Sequence, residues 1–374
     1  MVDMLKEMEV IETYLEGSPD YYLVYDGEKK LIQLLKGLNP DQVILIEDSK
    51  VEKLTKDSLY LAVNKEIACV KIVFESNEKN KTFECLSNLC EEMIHKGITK
   101  DSIIVAHGGG LVGNIAGLCA ALIFRGIRFV EVPTTFLAQT DSVLSNKQAV
   151  NSSVGKNHFG VYYAPQFIFA DVKYLTLDQP DRIKNGIVET MKNALISDRS
   201  LVDDLKKLLR GDGKYTEEEL YQIVKISVLS KIRILEKDSS EKKYGMILEY
   251  GHTFGHAIEK LSNGKILHGE AVSIGMIVAG KISLKMKVMN QNDYEEMVHF
   301  IRDYGGMNVK IPEEMTTECI INAIQTDNKK NACGICYVLL CGIGKIYNPN
   351  ENYMVSLENT IVKEALDEYK AEVM

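Results

Sequence analysis

The chain has 374 residues, 45% of them apolar and 26% charged, with a formal net charge of -9. That length suits two hydrophobic cores better than one, and the acidic balance argues against a nucleic-acid groove or an anionic membrane surface as partner. Any anionic substrate must then be met by a local cluster of lysines.

The N-terminal stretch MVDMLKEMEVIETYLEGS is acidic and lacks the cationic start and apolar centre of a signal peptide. The longest apolar run, near Ala271 to Gly280, stops at Lys281, short of a membrane span. Eight cysteines (Cys69, Cys85, Cys90, Cys119, Cys319, Cys333, Cys336 and Cys341) follow no framework spacing, which fits free thiols in a reducing compartment. A cytoplasmic protein is expected. Cys333 and Cys336 form a lone C-x-x-C, too little for a zinc ribbon.

From Tyr21 to about Ala170, YYLVYD, QVILIED, ACVKIVF, SIIVAH and IRFVEVP read as strands, most of them apolar on both faces. Helical patterns such as EKKLIQLLKGL and NKTFECLSNLCEEMIHKG lie between them. This alternation predicts a Rossmann-like parallel-sheet domain over residues 1–177. After SIIVAH, Gly108 to Gly110 close a strand and open a small-residue helix carrying Gly113 and Gly117. Glycine lets backbone N–H groups approach a phosphate at a helix N-terminus. The spacing is not G-x-G-x-x-G, so a tight turn with close helix packing is an equal reading. The polar stretch from Pro133 to Asn157 carries Asp141, Lys147, Lys156 and Asn157, and reads either as a surface hairpin or as a site for a phosphorylated polyol.

From Asp178 onward the pattern is mainly 3.6-periodic, which predicts a helical domain over residues 178–374. Glu189 and Lys192 stand three apart on one helical face, a surface ion pair or a site pair. Lys231 reads as a lysine snorkelling from an apolar helix. In LEYGHTFGHAIEKLSNGKILHGE, His252 and His256 are four apart and share a helix face, and His268 opens the next helix. Such a cluster reads as a metal or catalytic site, or as hydrogen-bonded core histidines. It is not a zincin motif, because Thr253 follows the first histidine. Asp327, Asn328, Lys329 and Lys330 form a polar cluster before ICYVLLCGIGK, a short strand pair.

Taken together, GGGLVGNIAG, FRGIRFVEVPTTFLAQTDSVLSNKQAVN, GKN, the Glu189 and Lys192 pair, and EYGHTFGHAIE followed by LHGEAV resemble the dehydroquinate synthase family of sugar phosphate cyclases. The resemblance implies an NAD-binding Rossmann-like domain, a helical metal- and substrate-binding domain, a divalent metal (Zn2+ or Co2+), a sugar phosphate substrate and a homodimer. It further implies Glu189, His252 and His268 as metal ligands. Lys147, Lys156, Asn157, Lys192, Lys231 and His256 match residues that hold the phosphate and hydroxyls or move protons, and Asp141 matches a residue between substrate and cofactor. Asp48, Glu78, Lys81, Gly109, Gly110, Thr134 and Thr135 match cofactor contacts, with Lys156 shared, and Lys329 or Lys330 matches a late substrate lysine.

Departures from the family pattern bear on the substrate. Dehydroquinate synthases carry an arginine seven residues before the first motif histidine, where it meets the substrate carboxylate, and an asparagine three before it; here those positions are Gly245 and Glu249. A carboxylate would lose its bidentate partner and meet a like charge. These changes resemble the branch of the family that cyclises D-glucose 6-phosphate toward the 2-deoxystreptamine ring of aminoglycosides. In that reaction Glu249 is the candidate for assisting the elimination of phosphate, with the leaving phosphate itself as the alternative proton acceptor. Cyclisation of a seven-carbon keto acid phosphate or of sedoheptulose 7-phosphate, and metal-dependent polyol oxidation, are the alternatives. The glycine loop continues into Gly113-Asn114 instead of Gly-Asp, and His107 stands where a small residue is usual, either as a packing change or as a change in how a pyrophosphate is held.

Overall fold

The computed structural model describes residues 8–11, 19–238, 241–325, 335–351 and 353–373. The chain divides into two compact units, one made of Met1–Asp178 with Tyr215–Val228, the other of Gln179–Lys214 with Leu229–Met374. A single boundary near residue 178 therefore misses the return of Tyr215–Val228 to the first unit. The cause is an amphipathic helical stretch that buries Leu220, Tyr221, Ile223 and Val224, while the Tyr221 hydroxyl donates to Glu9 at 3.2 Å and Lys225 pairs with Glu9 at 2.7 Å.

The first unit is built on strands β1 (Glu9–Ile11), β2 (Asp20–Val24), β3 (Val43–Asp48), β4 (Cys69–Phe74), β5 (Ile103–Gly108), β6 (Arg128–Pro133), β7 (Lys147–Val150), β8 (Phe159–Tyr162) and β9 (Phe167–Asp171). Helices α1 (Glu28–Gly37), α2 (Ser49–Thr55), α3 (Ser58–Glu66), α4 (Phe83–His95), α5 (Gly110–Leu122) and α6 (Phe136–Thr140) connect them. Seven strands form one sheet in the order β1-β2-β9-β6-β5-β3-β4. All its neighbours pair in parallel except β1 and β2. Two apolar clusters cover the two faces, one centred on Ile44, Ile46, Ile104 and Ile115, the other on Val43, Leu45, Val105 and Val130. Alternate residues of the same strands feed opposite clusters, which is why these strands read as continuous apolar runs. From β3 the chain moves outward to β4, and from β5 it moves the other way to β6, so the strand order reverses between β3 and β5. Ligands of open α/β sheets bind at the carboxyl ends of strands at such a point. The polar stretch after β6 forms the short helix α6 and then an antiparallel hairpin of β7 and β8.

The second unit comprises α7 (Pro180–Ser197), α8 (Arg199–Leu208), the last part of α9 (Glu217–Leu235), α10 (His252–Leu261), α11 (His268–Lys285), α12 (Gln291–His299), α13 (Thr317–Gln325) and α14 (Asn359–Val373). Short strands β10 (Cys336–Tyr337) with β13 (Val355–Ser356), and β11 (Leu340–Gly342) with β12 (Lys345–Ile346), complete it. Helix α11 is the centre, buried without interruption from Ala271 to Ser283. Small residues let its neighbours approach: a Cβ on Gly275 would lie 2.0 Å from the Gly251 carbonyl, and one on Gly269 would lie 2.4 Å from the Asn185 carbonyl of α7. Those two contacts bring the start of α10 against the middle of α11, and the start of α11 against the second turn of α7.

Candidate active site

In the helical unit Glu189, His252 and His268 each offer one ligand atom, and these atoms lie within 4.8 Å of one another. His252 Nε2 and His268 Nε2 stand 3.4 and 3.5 Å from the same oxygen, Glu189 Oε1. That oxygen is buried without a hydrogen-bond partner. The other ring nitrogens are engaged: His252 Nδ1 is 3.2 Å from the Tyr250 carbonyl, and His268 Nδ1 is 2.9 Å from Glu259 Oε2. Both acceptors require an N–H at Nδ1, so in the neutral rings both Nε2 lone pairs face Glu189. Three electron-rich atoms converging without a hydrogen between them suit a divalent cation, and three protein ligands match a catalytic site with open positions.

The electrostatics around this point are mixed. Burial alone would raise the Glu189 carboxyl, but Lys192, His252 and His268 together hold it well below the usual carboxylate range. Burial, reinforced by Lys192, pushes His252 down to about 3. For His268 burial acts downward, yet the neighbouring Glu189 and Glu259 carboxylates prevail and push it up to about 9, so ligating a cation through Nε2 means giving up a proton there. Lys192 Nζ donates to Glu189 Oε2 at 2.5 Å, with both side chains buried. The surface-pair reading of Glu189 and Lys192 is therefore corrected: α7 is buried on all sides around them, which spacing alone does not reveal. Lys231 is likewise buried and does not snorkel, since α9 carries Val228, Ile232, Ile234 and Leu235 into the core around it.

His256 lies on the same helix, its ring centroid 5.2 Å from that of His252 and 6.2 Å from that of His268, beside the triad and outside the ligand set. Glu249 is half-buried at the end of a 3-10 turn, near enough to act electrostatically on His252. Gly245 is buried, its N–H donating to Asp238 at 3.0 Å, and a Cβ there would lie 2.9 Å from the Asp238 carbonyl. An arginine at that position would therefore require the backbone around Asp238 to shift.

In the sheet unit, α5 begins at Gly110, with Gly109 as its N-cap in extended conformation. A Cβ on Gly110 would meet Ser142 Oγ at 2.8 Å, and one on Gly109 would meet the Thr135 methyl at 3.3 Å. The loop is therefore a cradle of bare backbone under two hydroxyl side chains, suited to a pyrophosphate. Thr134 N–H donates to the Gly108 carbonyl at 2.9 Å, and Thr135 caps α6. Asp48 ends β3 and accepts from Lys50 N–H at 2.8 Å and from the Ser76 hydroxyl. Lys81, held low by burial, donates to Asn114 at 2.8 Å and to Asn157 at 2.5 Å. Asn114 in turn donates to the Lys147 carbonyl at 3.2 Å. Glu78 accepts from Asn151 at 2.7 Å. Asp141 caps the end of α6, Lys147 opens β7, and Lys156 and Asn157 are exposed between β7 and β8. Beneath α5, Glu131 accepts from Gln148 at 3.3 Å and a Gly113 Cβ would meet its other oxygen at 2.8 Å; burial pushes this carboxyl up to about 7. Lys329 and Lys330, with Asp327, Asn328 and Cys333, lie outside the described residues.

Sequence reasoning missed Asn114 and Glu259 as site residues. Helical spacing could have found Glu259, which follows His252 by seven and His256 by three.

Residues 71–185 match the family described as 3-dehydroquinate synthase N-terminal, and residues 186–330 match 3-dehydroquinate synthase C-terminal. The chain belongs to the 3-dehydroquinate synthase family. Among its relatives, the 2-deoxy-scyllo-inosose synthase of Niallia circulans is 38% identical over 88% of this chain and 90% of that protein. The 3-dehydroquinate synthase of Thermoanaerobacter sp. (strain X514) is 36% identical over 88% and 93%. A crystal structure of 2-deoxy-scyllo-inosose synthase complexed with carbaglucose-6-phosphate, NAD+ and Co2+ superimposes with a TM-score of 0.90 at 33% identity, covering 97% of this chain and 100% of that one.

Proposed function

We propose that this chain is a sugar phosphate cyclase that converts D-glucose 6-phosphate to 2-deoxy-scyllo-inosose and phosphate, for aminoglycoside biosynthesis, using NAD and a divalent metal, Zn2+ or Co2+. The observation that carries the substrate reading is the pair of departures beside the metal triad. Gly245 sits where a side chain would crowd the Asp238 carbonyl, and Glu249 brings negative charge where a carboxylate-binding relative needs a neutral or cationic partner. A substrate without a carboxylate fits that environment.

When bound, NAD supplies a reversible hydride acceptor, and the metal polarises adjacent sugar hydroxyls. The conversion is redox-neutral: C4 is oxidised, a proton leaves C5 and phosphate leaves C6, C4 is reduced again, and after ring opening C6 closes on C1 in an aldol step. Glu189, His252 and His268 hold the metal. Glu259 and the Tyr250 carbonyl fix the two imidazoles in the ligating tautomer. Asp48, Glu78, Lys81, Gly109, Gly110, Thr134, Thr135, Asp141 and Lys156 hold the cofactor. Lys147, Lys156, Lys192 and His256 receive the phosphate, offsetting charge that grows as its bond breaks. Asn157, Asp141, Lys231 and one of Lys329 and Lys330 contact the hydroxyls, and Glu249 takes the C5 proton.

The same reading includes a homodimer in the cytoplasm. The edge-to-face pair of exposed Phe83 and Phe159, with exposed Val161 and Tyr162 on β8, supports association. The described cysteines are all free, which supports a reducing compartment. Among the described residues no helix is long and apolar enough to cross a membrane.

The test is phosphate release with NAD and a divalent metal, comparing glucose 6-phosphate, the seven-carbon keto acid phosphate and sedoheptulose 7-phosphate, with product masses recorded. Release from glucose 6-phosphate without accumulating NADH is expected. Release only from the keto acid would return the chain to dehydroquinate synthesis, in line with its Thermoanaerobacter relative. Steady NADH accumulation would make it a polyol dehydrogenase.

A further inference from the structure

Glu47 and His107 stand opposite each other on β3 and β5, and theirs is the last pair in the register of those two strands. Their side chains meet at 2.9 Å, His107 Nδ1 against Glu47 Oε1, and both are fully buried. The Tyr174 ring closes over His107 with centroids 4.8 Å apart. The remaining polar atoms of the pair, Glu47 Oε2 and His107 Nε2, are buried without a hydrogen-bond partner.

Such a pair is poor value as a stabilising device. Two unsatisfied buried polar atoms are unfavourable, and replacing such a buried pair with apolar side chains of similar volume is often neutral or stabilising. Its position offers a different reason. Beyond this rung β3 and β5 no longer pair, and this is the point where the strand order of the sheet reverses. The next residue on β3 is Asp48, and the next on β5 is Gly108, which leads into the glycine cradle. A Cβ on Gly108 would lie 3.2 Å from Asp48 Cβ, so the two strand tips separate from close contact.

We infer that Glu47 and His107 are positioning residues that clip the ends of β3 and β5 together and thereby set the spacing between Asp48 and the glycine loop for the cofactor. This rests on the NAD reading above. The pair acts through the backbone tips it joins and contacts no reacting atom.

The experiment compares wild type, the double variant Glu47→Leu/His107→Leu, and the single variants Glu47→Leu and Glu47→Gln, by direct NAD titration and by steady-state kinetics. The double leucine variant should unfold at the same or a higher temperature while its Kd and KM for NAD rise about tenfold, with kcat at saturating NAD and metal stoichiometry unchanged. Glu47→Gln keeps an acceptor for His107 Nδ1–H and should stay near wild type, whereas Glu47→Leu should not. Unchanged NAD affinity in a folded double variant would overturn the inference. If that variant does not fold, equal NAD affinity of Glu47→Leu and Glu47→Gln would overturn it instead. A wild-type chain that binds no NAD would remove the NAD reading itself, a result separable from loss confined to the variants.

Discussion

The metal triad in the helical unit and the glycine cradle in the sheet unit are prepared by opposite means. Around Glu189, ionisable side chains are carried into a buried place and left with lone pairs facing one another, so the local order is electrostatically incomplete. Around Gly109 and Gly110, side chains are withheld, and the site consists of backbone and hydroxyl groups under Thr135 and Ser142. A cation is recognised by charge that the fold concentrates, and a pyrophosphate by charge and bulk that the fold leaves out. The two should therefore fail separately.

The largest expected effect is at the triad. His268→Ala should abolish bound metal and turnover together while NAD titration stays normal; metal analysis retaining one ion per chain would remove His268 from the ligand set. Gly110→Ala should do the reverse, weakening NAD by about tenfold, or roughly 1.4 kcal/mol, with metal content unchanged. Equal loss of both ligands in either variant would mean that the contrast is mistaken. A smaller effect lies beneath the cradle. Glu131 is raised to about 7 in the folded chain from an ordinary 4.5, so the folded state holds a proton that the unfolded state releases between those values. Stability should fall as pH rises through that window and level off above 7. Glu131→Gln should remove that fall, gaining at most about 3 kcal/mol on wild type between pH 5 and 8, as denaturant melts at the two pH values would show.

Much of the first unit was legible because strands buried on both faces leave unbroken apolar runs; the five strands named from sequence all form. Strand β9 escaped notice although FIFAD is wholly buried, since five residues after a turn give too short a run to distinguish from a helix segment. The histidine cluster was legible as chemistry, but spacing alone favoured His256 as much as His268. Spacing marked Glu189 only as a partner of Lys192, and its role as a metal ligand entered through the family resemblance, because a ligand on a distant helix leaves no local pattern. Lys192 and Lys231 misled for a related reason: periodicity marks the apolar face of a helix and cannot tell whether another helix covers the opposite one. The Glu47 and His107 pair was invisible because it joins neighbouring strands through register, which no single stretch of sequence records.

Gly245 has a consequence for redesign as well as for binding. The Asp238 carboxylate gathers the N–H groups of Lys243 and Gly245, and the Asp238 carbonyl fills the space a first side-chain carbon would need. An arginine installed there would have to push the Asp238 carbonyl aside before its guanidinium could reach any substrate. Redesign toward a carboxylate-binding enzyme therefore means reshaping the turn as well as exchanging one residue.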